Sequence, residues 1–263
     1  FLPGKWPAYF SKSKGCKLWD LDNNKYDDIA HMGNGTNVLG YCHPEIEKKV
    51  SKVIKNGTIS TLNSIEEILL AEKLVSLHPW SEMVRFTRSG GEANAVAIRI
   101  ARAASGRDKV AVCGYHGWHD WYMSTNIDNK NNLNTHLMNN LPINGVPKNL
   151  KNTVFPFEYN NFEQLSKIVK MHKIGVIKME VKRISEPKNN FLQKIRKLAT
   201  ENSIVLIFDE CTSGFRQTFG GMHKFYNVEP DLAIFGKALG NGYAINAVIG
   251  RRAVMEYANH SFI

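Results

Sequence analysis

The sequence predicts an α/β fold with a mostly parallel sheet flanked by helices, on three observations. Residues 204–208 (IVLIF) and 232–235 (LAIF) are uninterrupted apolar runs bounded by turn signals. Such runs belong to strands buried on both faces, as in a parallel sheet. Amphipathic helical stretches separate the apolar runs, so strands and helices alternate along the chain, the pattern of βαβ units. Finally, 263 residues suffice to bury one large core with room for a small appendage, and no internal repeat is visible.

The elements follow in order. Residues 19–29 (WDLDNNKYDDI) alternate apolar and polar across Asp22, Asn23 and Asn24, a hairpin-type turn. Residues 33–40 (GNGTNVLG) form a glycine-rich loop, and an amphipathic helix starts at Pro44 and runs to about Lys55. A second helix spans 64–77 and is ended by His78 and Pro79. Residues 83–86 are a short strand, and the turn Arg88, Ser89, Gly90, Gly91 opens a helix over 92–104. Residues 110–113 form a strand ending at Gly114, Tyr115, His116 and Gly117. The Asn-rich stretch 124–153 lacks periodicity and reads as a long, partly mobile surface excursion at the rim of a site. Residues 174–179 are a strand closed by Glu180, and 191–201 a helix. This divides the chain into an N-terminal segment, 1–60, and a large domain, 61–263.

Charge and cysteine content narrow the function. The 34 basic and 24 acidic residues give a net charge of +10. The lysines are spread rather than clustered, so nucleic acid is not the expected partner; a basic surface that attracts anionic substrates is. Cys16, Cys42, Cys113 and Cys211 are scattered without a CxxC pair, which argues against a disulfide framework and a zinc site. With no run of about 18 apolar residues and no leader pattern, no membrane association is expected and the cytoplasm is the expected compartment. The chain opens on Phe1 and stops at Ile263, and both ends read as cuts through a longer protein.

Two strand ends carry the chemistry. The 204–208 run ends on Asp209 and Glu210, and the 232–235 run leads through Gly236 into Lys237. Ligands of open α/β sheets bind outside the carboxyl ends of the strands. A lysine and an acid delivered there are what pyridoxal 5'-phosphate (PLP) needs, the amine for a Schiff base and the carboxylate for the pyridinium nitrogen. Burial favours the neutral amine of such a lysine, and a buried carboxylate calls for a cationic partner. The turn at Ser89, Gly90 and Gly91 offers orphan amides and a helix dipole to a phosphate. His116 and His119 are three residues apart, but no third metal ligand accompanies them, so no metal is expected.

The stretch VLIFDECTSGFRQTFGGMHKFYNVEPDLAIFGKALGNGY resembles the class III aminotransferases, and is most similar to glutamate-1-semialdehyde aminomutase and its transaminase relatives. The resemblance runs from about Lys14 to Tyr257 and implies the large domain of a fold-type I PLP transferase without its C-terminal domain. It implies PLP bound by Ser89, Gly90, Gly91, Tyr115, His116, Asp209, Cys211 and Lys237. In that assignment Tyr115 stacks on the ring, Cys211 packs on the opposite face, and Asp209 and Lys237 are catalytic. It further implies a small-molecule amino donor, a carbonyl acceptor and a homodimer with sites at the interface. Three departures stand out: Gly91 replaces a threonine that contacts phosphate, residues 181–185 (VKRIS) replace a proline-led segment, and Ala244 stands where the aminomutases usually have proline. Transaminase is the expected activity; aminomutase and a catalytically silent PLP-fold protein remain open.

Overall fold

The computed structural model describes residue 4, residues 6–136 and residues 138–263. A small antiparallel sheet comes first, formed by β1 (Phe10–Lys14), β2 (Lys17–Asp20) and β3 (Lys25–Asp27). The turn between β2 and β3 is tied by Asp20, whose carboxylate accepts from the backbone N–H groups of Asp22 and Asn24 and from the Tyr26 hydroxyl. Helices α1 (Pro44–Asn56) and α2 (Ile65–Leu77) follow, each within a residue of its expected start and end.

The main sheet has seven strands: β4 (Met83–Thr87), β5 (Lys109–Cys113), β6 (Val154–Pro156), β7 (Ile174–Glu180), β8 (Val205–Asp209), β9 (Leu232–Phe235) and β10 (Asn246–Gly250). Their spatial order is β4-β10-β9-β8-β7-β5-β6. β6, β5, β7, β8 and β9 pair in parallel, and β10 runs antiparallel to both β9 and β4. β6 and β10 are additions to the sequence reading. Every residue of β7, β8, β9 and β10 is buried, as continuous apolar runs require.

Each face of the sheet buries its own layer. On one lies α3 (Gly90–Ser105), with Ala93, Ala97 and Ala101 bringing it close to Val112, Val176 and Ile207. Its start is fixed by a capping box: Ser89 Oγ accepts the Glu92 N–H at 3.2 Å, and Glu92 Oε2 accepts the Ser89 N–H at 3.3 Å. The helix therefore begins two residues before the expected Glu92, with Gly90 and Gly91 in its first turn. Helices α4 (Phe162–Met171) and α5 (Phe191–Glu201) cover the other face, where Leu165, Leu192 and Ile195 pack on Ile177, Leu206 and Phe208.

Most of the described residues of the Asn-rich stretch 124–153 lie at the surface, but the stretch is anchored at a few buried points. Ser124, Thr125 and Asn126 are buried, and Leu133 is fully enclosed in the layer that includes α3. The asparagines serve as internal ties: Asn126 Oδ1 accepts the Leu133 N–H, and Asn132 Nδ2 donates to the Thr125 carbonyl. A polar segment can be buried when its side chains satisfy its own backbone.

Candidate functional site

Sheet register assembles the site. β7 and β8 pair Glu180 with Asp209, so both acids reach the carboxyl edge together, and β9 ends beside them at Phe235, delivering Gly236 and Lys237. Asp209 is 3% exposed. Its Oδ2 accepts from His116 Nδ1 at 2.8 Å and lies 3.5 Å from Lys178 Nζ, while Oδ1 accepts the Cys211 N–H at 3.1 Å. Burial alone would raise the Asp209 carboxyl, but the Lys178 charge and the His116 hydrogen bond outweigh it and hold the group well below the usual carboxylate range. Asp209 is thus ionised through groups of this chain. The sequence reading found the need for a cationic partner but not these two.

Burial, with the nearby Lys178 charge, takes the His116 ring down to about 4, so the imidazole is neutral near pH 7. Its Nε2 lies 3.2 Å from the Cys113 carbonyl oxygen.

Lys237 is half-buried at the end of β9, with φ +46°, the left-handed region that disfavours side chains. Its Nζ donates to Thr212 Oγ1 at 3.1 Å. Burial shifts the ammonium below its ordinary range, which enriches the nucleophilic amine. Thr212 belongs to the turn that follows Asp209, so one short segment anchors the acid at one end and the amine at the other.

Glycines let the backbones converge. A β-carbon on Gly236 would overlap Asn246 Oδ1 and lie 3.2 Å from Cys211 Sγ, and one on Gly90 would lie 3.5 Å from the same sulfur. The first turn of α3, the Asp209 turn and the Lys237 turn therefore meet around Cys211. Burial raises the Cys211 thiol well above its ordinary value, which leaves it protonated and suits packing rather than nucleophilic attack. A β-carbon on Gly91 would fall 2.8 Å from His119 Nδ1, itself enclosed without a hydrogen-bond partner among the described residues. The imidazole therefore occupies the room that a side chain at position 91 would need. Tyr115 donates its N–H to Glu180 Oε2 at 3.1 Å and sets its ring edge-on to Tyr122.

Burial raises the Glu180 carboxyl despite its contact with Arg183 Nη1 at 3.1 Å. Arg183 comes from the segment that departs from the family pattern. A cavity of about 370 Å³ opens beside these two, walled also by Gly114, His136 and Tyr159; neither Asp209 nor Lys237 lines it. Among the described residues no group of three His, Cys, Asp or Glu side chains is placed to hold a metal ion, and no helix is long and apolar enough to cross a membrane.

A desolvated lysine and an ionised buried acid at the carboxyl edge of a parallel sheet, beside a capped helix start, narrow the family, and one comparison decides it. The sequence model of the Aminotransferase class-III family matches residues 4–261. The chain belongs to the class III aminotransferases. It is 35% identical to the 3-aminobutyryl-CoA aminotransferase of Cloacimonas acidaminovorans, over 97% of this chain and 60% of that one. It is also 35% identical to the glutamate-1-semialdehyde 2,1-aminomutase of Methanobrevibacter smithii, over 95% and 59%. Among solved structures it superposes on an omega-transaminase from Sphaerobacter thermophilus with TM-score 0.85 and 27% identity, covering 96% of this chain and 59% of that one. A beta-phenylalanine aminotransferase from Variovorax paradoxus gives TM-score 0.79 and 26% identity, over 96% and 56%. This class III chain therefore spans 59–60% of the length of the first two curated relatives.

Proposed function

We propose that the protein transfers amino groups as a PLP-dependent transaminase, with a small-molecule amino donor and a carbonyl acceptor. The observation that carries this reading is the delivery of Lys237 and the ionised, buried Asp209 to one sheet edge, linked through the Thr212 turn. The donor set fits PLP: an amine for its aldehyde, a carboxylate for its ring nitrogen, and a glycine-lined helix start for its phosphate. Ser89 spends its hydroxyl on the cap, so its offer to a phosphate is the backbone of the first turn.

When bound, the cofactor supplies an aldehyde for amines and an electron-poor ring. Lys237 Nζ would hold it covalently and would move a proton at the substrate α-carbon, as base and afterwards as acid. Asp209 would supply fixed negative charge for its ring nitrogen. Tyr115 and Cys211 would pack against the cofactor, and His116 orients the Asp209 carboxylate.

An aminomutase is the second reading, favoured by the aminomutase names of several relatives. A transaminase requires an external carbonyl acceptor for turnover, and an aminomutase does not.

We read residues 1–60 as a segment set apart from the large domain, 61–263, supported by its separate three-stranded sheet. A homodimer suits the exposed Ile59, Leu62, Ile65, Ile68 and Leu69 around the start of α2, an apolar patch that calls for cover. The cytoplasm suits four unpaired cysteines.

The test is borohydride reduction of the intact polypeptide with PLP, followed by peptide mapping. A phosphopyridoxyl adduct on Lys237, absent in Lys237→Ala, is the expected result. Adducts scattered over surface lysines, unchanged by that substitution, refute the assignment.

A further inference from the structure

Lys178 is a second buried lysine, and the chemistry above has no use for it. It sits inside β7, fully enclosed, between Val112 of β5 and Ile207 of β8 in the sheet register. Lysine is almost never buried unless paired. Among the described residues, Lys178 Nζ has no hydrogen-bond partner, and its one close counter-charge is Asp209 Oδ2 at 3.5 Å. His116 occupies the same oxygen at 2.8 Å.

The surrounding titratable groups are few. Asp209 faces Lys178 from β8, Cys211 from the turn after β8, His116 from the turn after β5, and Glu180 from the same face of β7. Glu180 is already paired with Arg183. One carboxylate therefore balances Lys178, and that carboxylate is also the group facing the cofactor's ring nitrogen. Two cations on one acid in a desolvated site oppose each other. His116 already registers this, since Lys178 is among the groups that disfavour its protonation.

We propose that Lys178 competes with the cofactor's ring nitrogen for the charge of Asp209, and so sets how firmly that nitrogen holds its proton. Lys178 is on this view a positioning residue acting through Asp209, and the proposal rests on the cofactor reading given above. An ammonium at position 178 weakens the pull of Asp209 on the ring proton; a neutral side chain there leaves the whole carboxylate charge to the ring.

The experiment loads the intact polypeptide with PLP labelled with ¹⁵N in the ring and follows the nitrogen shift against pH in wild type and Lys178→Met. The methionine variant is expected to hold the ring proton to higher pH, by at least about one unit, a tenfold change in proton affinity. In the cofactor-free protein, the His116 ring followed by NMR is expected to titrate at higher pH in the same variant. A purely structural lysine would move neither midpoint. Unmoved midpoints in a variant that still labels at Lys237 overturn the role of Lys178 and leave the cofactor reading standing. A wild type that takes no cofactor at Lys237 overturns both. Should the methionine variant not fold, Lys178→Gln, neutral and of similar reach, is held to the same outcomes.

Discussion

Replacing Gly236 by alanine adds one methyl group beside the candidate catalytic lysine, and its effect can be worked from local contacts. The backbone at Gly236 is extended, with φ −164°, so alanine meets no backbone strain there. The cost is steric: the new carbon would overlap Asn246 Oδ1 and lie 2.9 Å from Asn246 Cγ and 3.2 Å from Cys211 Sγ. Asn246 is 6% exposed and fixed in β10, so its side chain cannot swing into solvent. Overpacking of this kind costs about 1–3 kcal/mol. Taking about 2 kcal/mol, Tm falls by ~4–8 °C for a chain of this size. Urea and thermal denaturation of Gly236→Ala, Asn246→Ala and the double variant form the assay. The double variant should recover at least about 1 kcal/mol relative to the sum of the singles, because removing the amide opens room for the methyl. Borohydride labelling of Lys237 should fall in Gly236→Ala and recover in the double variant. A loss below about 0.5 kcal/mol, within the range of an ordinary surface change, or strictly additive singles, would refute the close approach of β10 to the Lys237 turn.

Three further outcomes are expected. Lys237→Gly should abolish the covalent label without loss of stability, since glycine removes left-handed strain of about 1–2 kcal/mol; urea midpoints below wild type would contradict this. Glu210 is fully buried and accepts from Ser213 Oγ, Met222 N, His223 N and His223 Nδ1. Its change to Gln should cost about 2–3 kcal/mol in chemical denaturation by turning charge-assisted bonds into a mismatched set, and a neutral effect would count against that network. His78 and His116, both taken down to about 4 by burial, must gain protons on unfolding below their ordinary pKa of about 6.5. Their folded pKa values are depressed, so their contribution to stability is complete above pH ~6.5 and declines as pH falls toward 4, by at most about 3 kcal/mol per ring. A urea midpoint unchanged between pH 7 and 4.5 would contradict it.

The strand ends at Asp209, Glu180 and Lys237 were legible because a polar residue closing an apolar run marks where a buried strand meets solvent or ligand. Helices α1, α2 and α5 were legible through periodicity and flanking turns. β6 was hidden, being three residues long with Pro156 at its end, where no period can be counted. The anchoring of the Asn-rich stretch through Asn126 and Leu133 was hidden because asparagine reads as loop unless its hydrogen-bond partners are known. Lys178 was the costliest omission. A lysine inside the run IGVIKME is itself a signal, since a strand buried on both faces has no room to let it reach water. What sequence could not supply was its partner, which depends on β7 and β8 aligning so that the 178 side chain points at the acid closing the neighbouring strand.

The place of β4 bears on how this chain matures. Among the described residues, β4 has one strand neighbour, β10, the last in sequence of the seven strands in this sheet, while the Ser89 to Gly91 turn leads directly out of β4. The Ser89 to Gly91 turn is thus made early in synthesis, but β4 beside it is hydrogen-bonded to the sheet only once β10, the last of the seven strands, has been made. Pairings across such sequence distances close slowly. Until β10 arrives, the unpaired edges of β4 are a surface a nascent chain must keep from misassociating. Premature termination shortly before Asn246 would therefore release a polypeptide that already carries Asp209 and Lys237 but holds the glycine turn only through the packing of α3 on the sheet, with β4 unpaired.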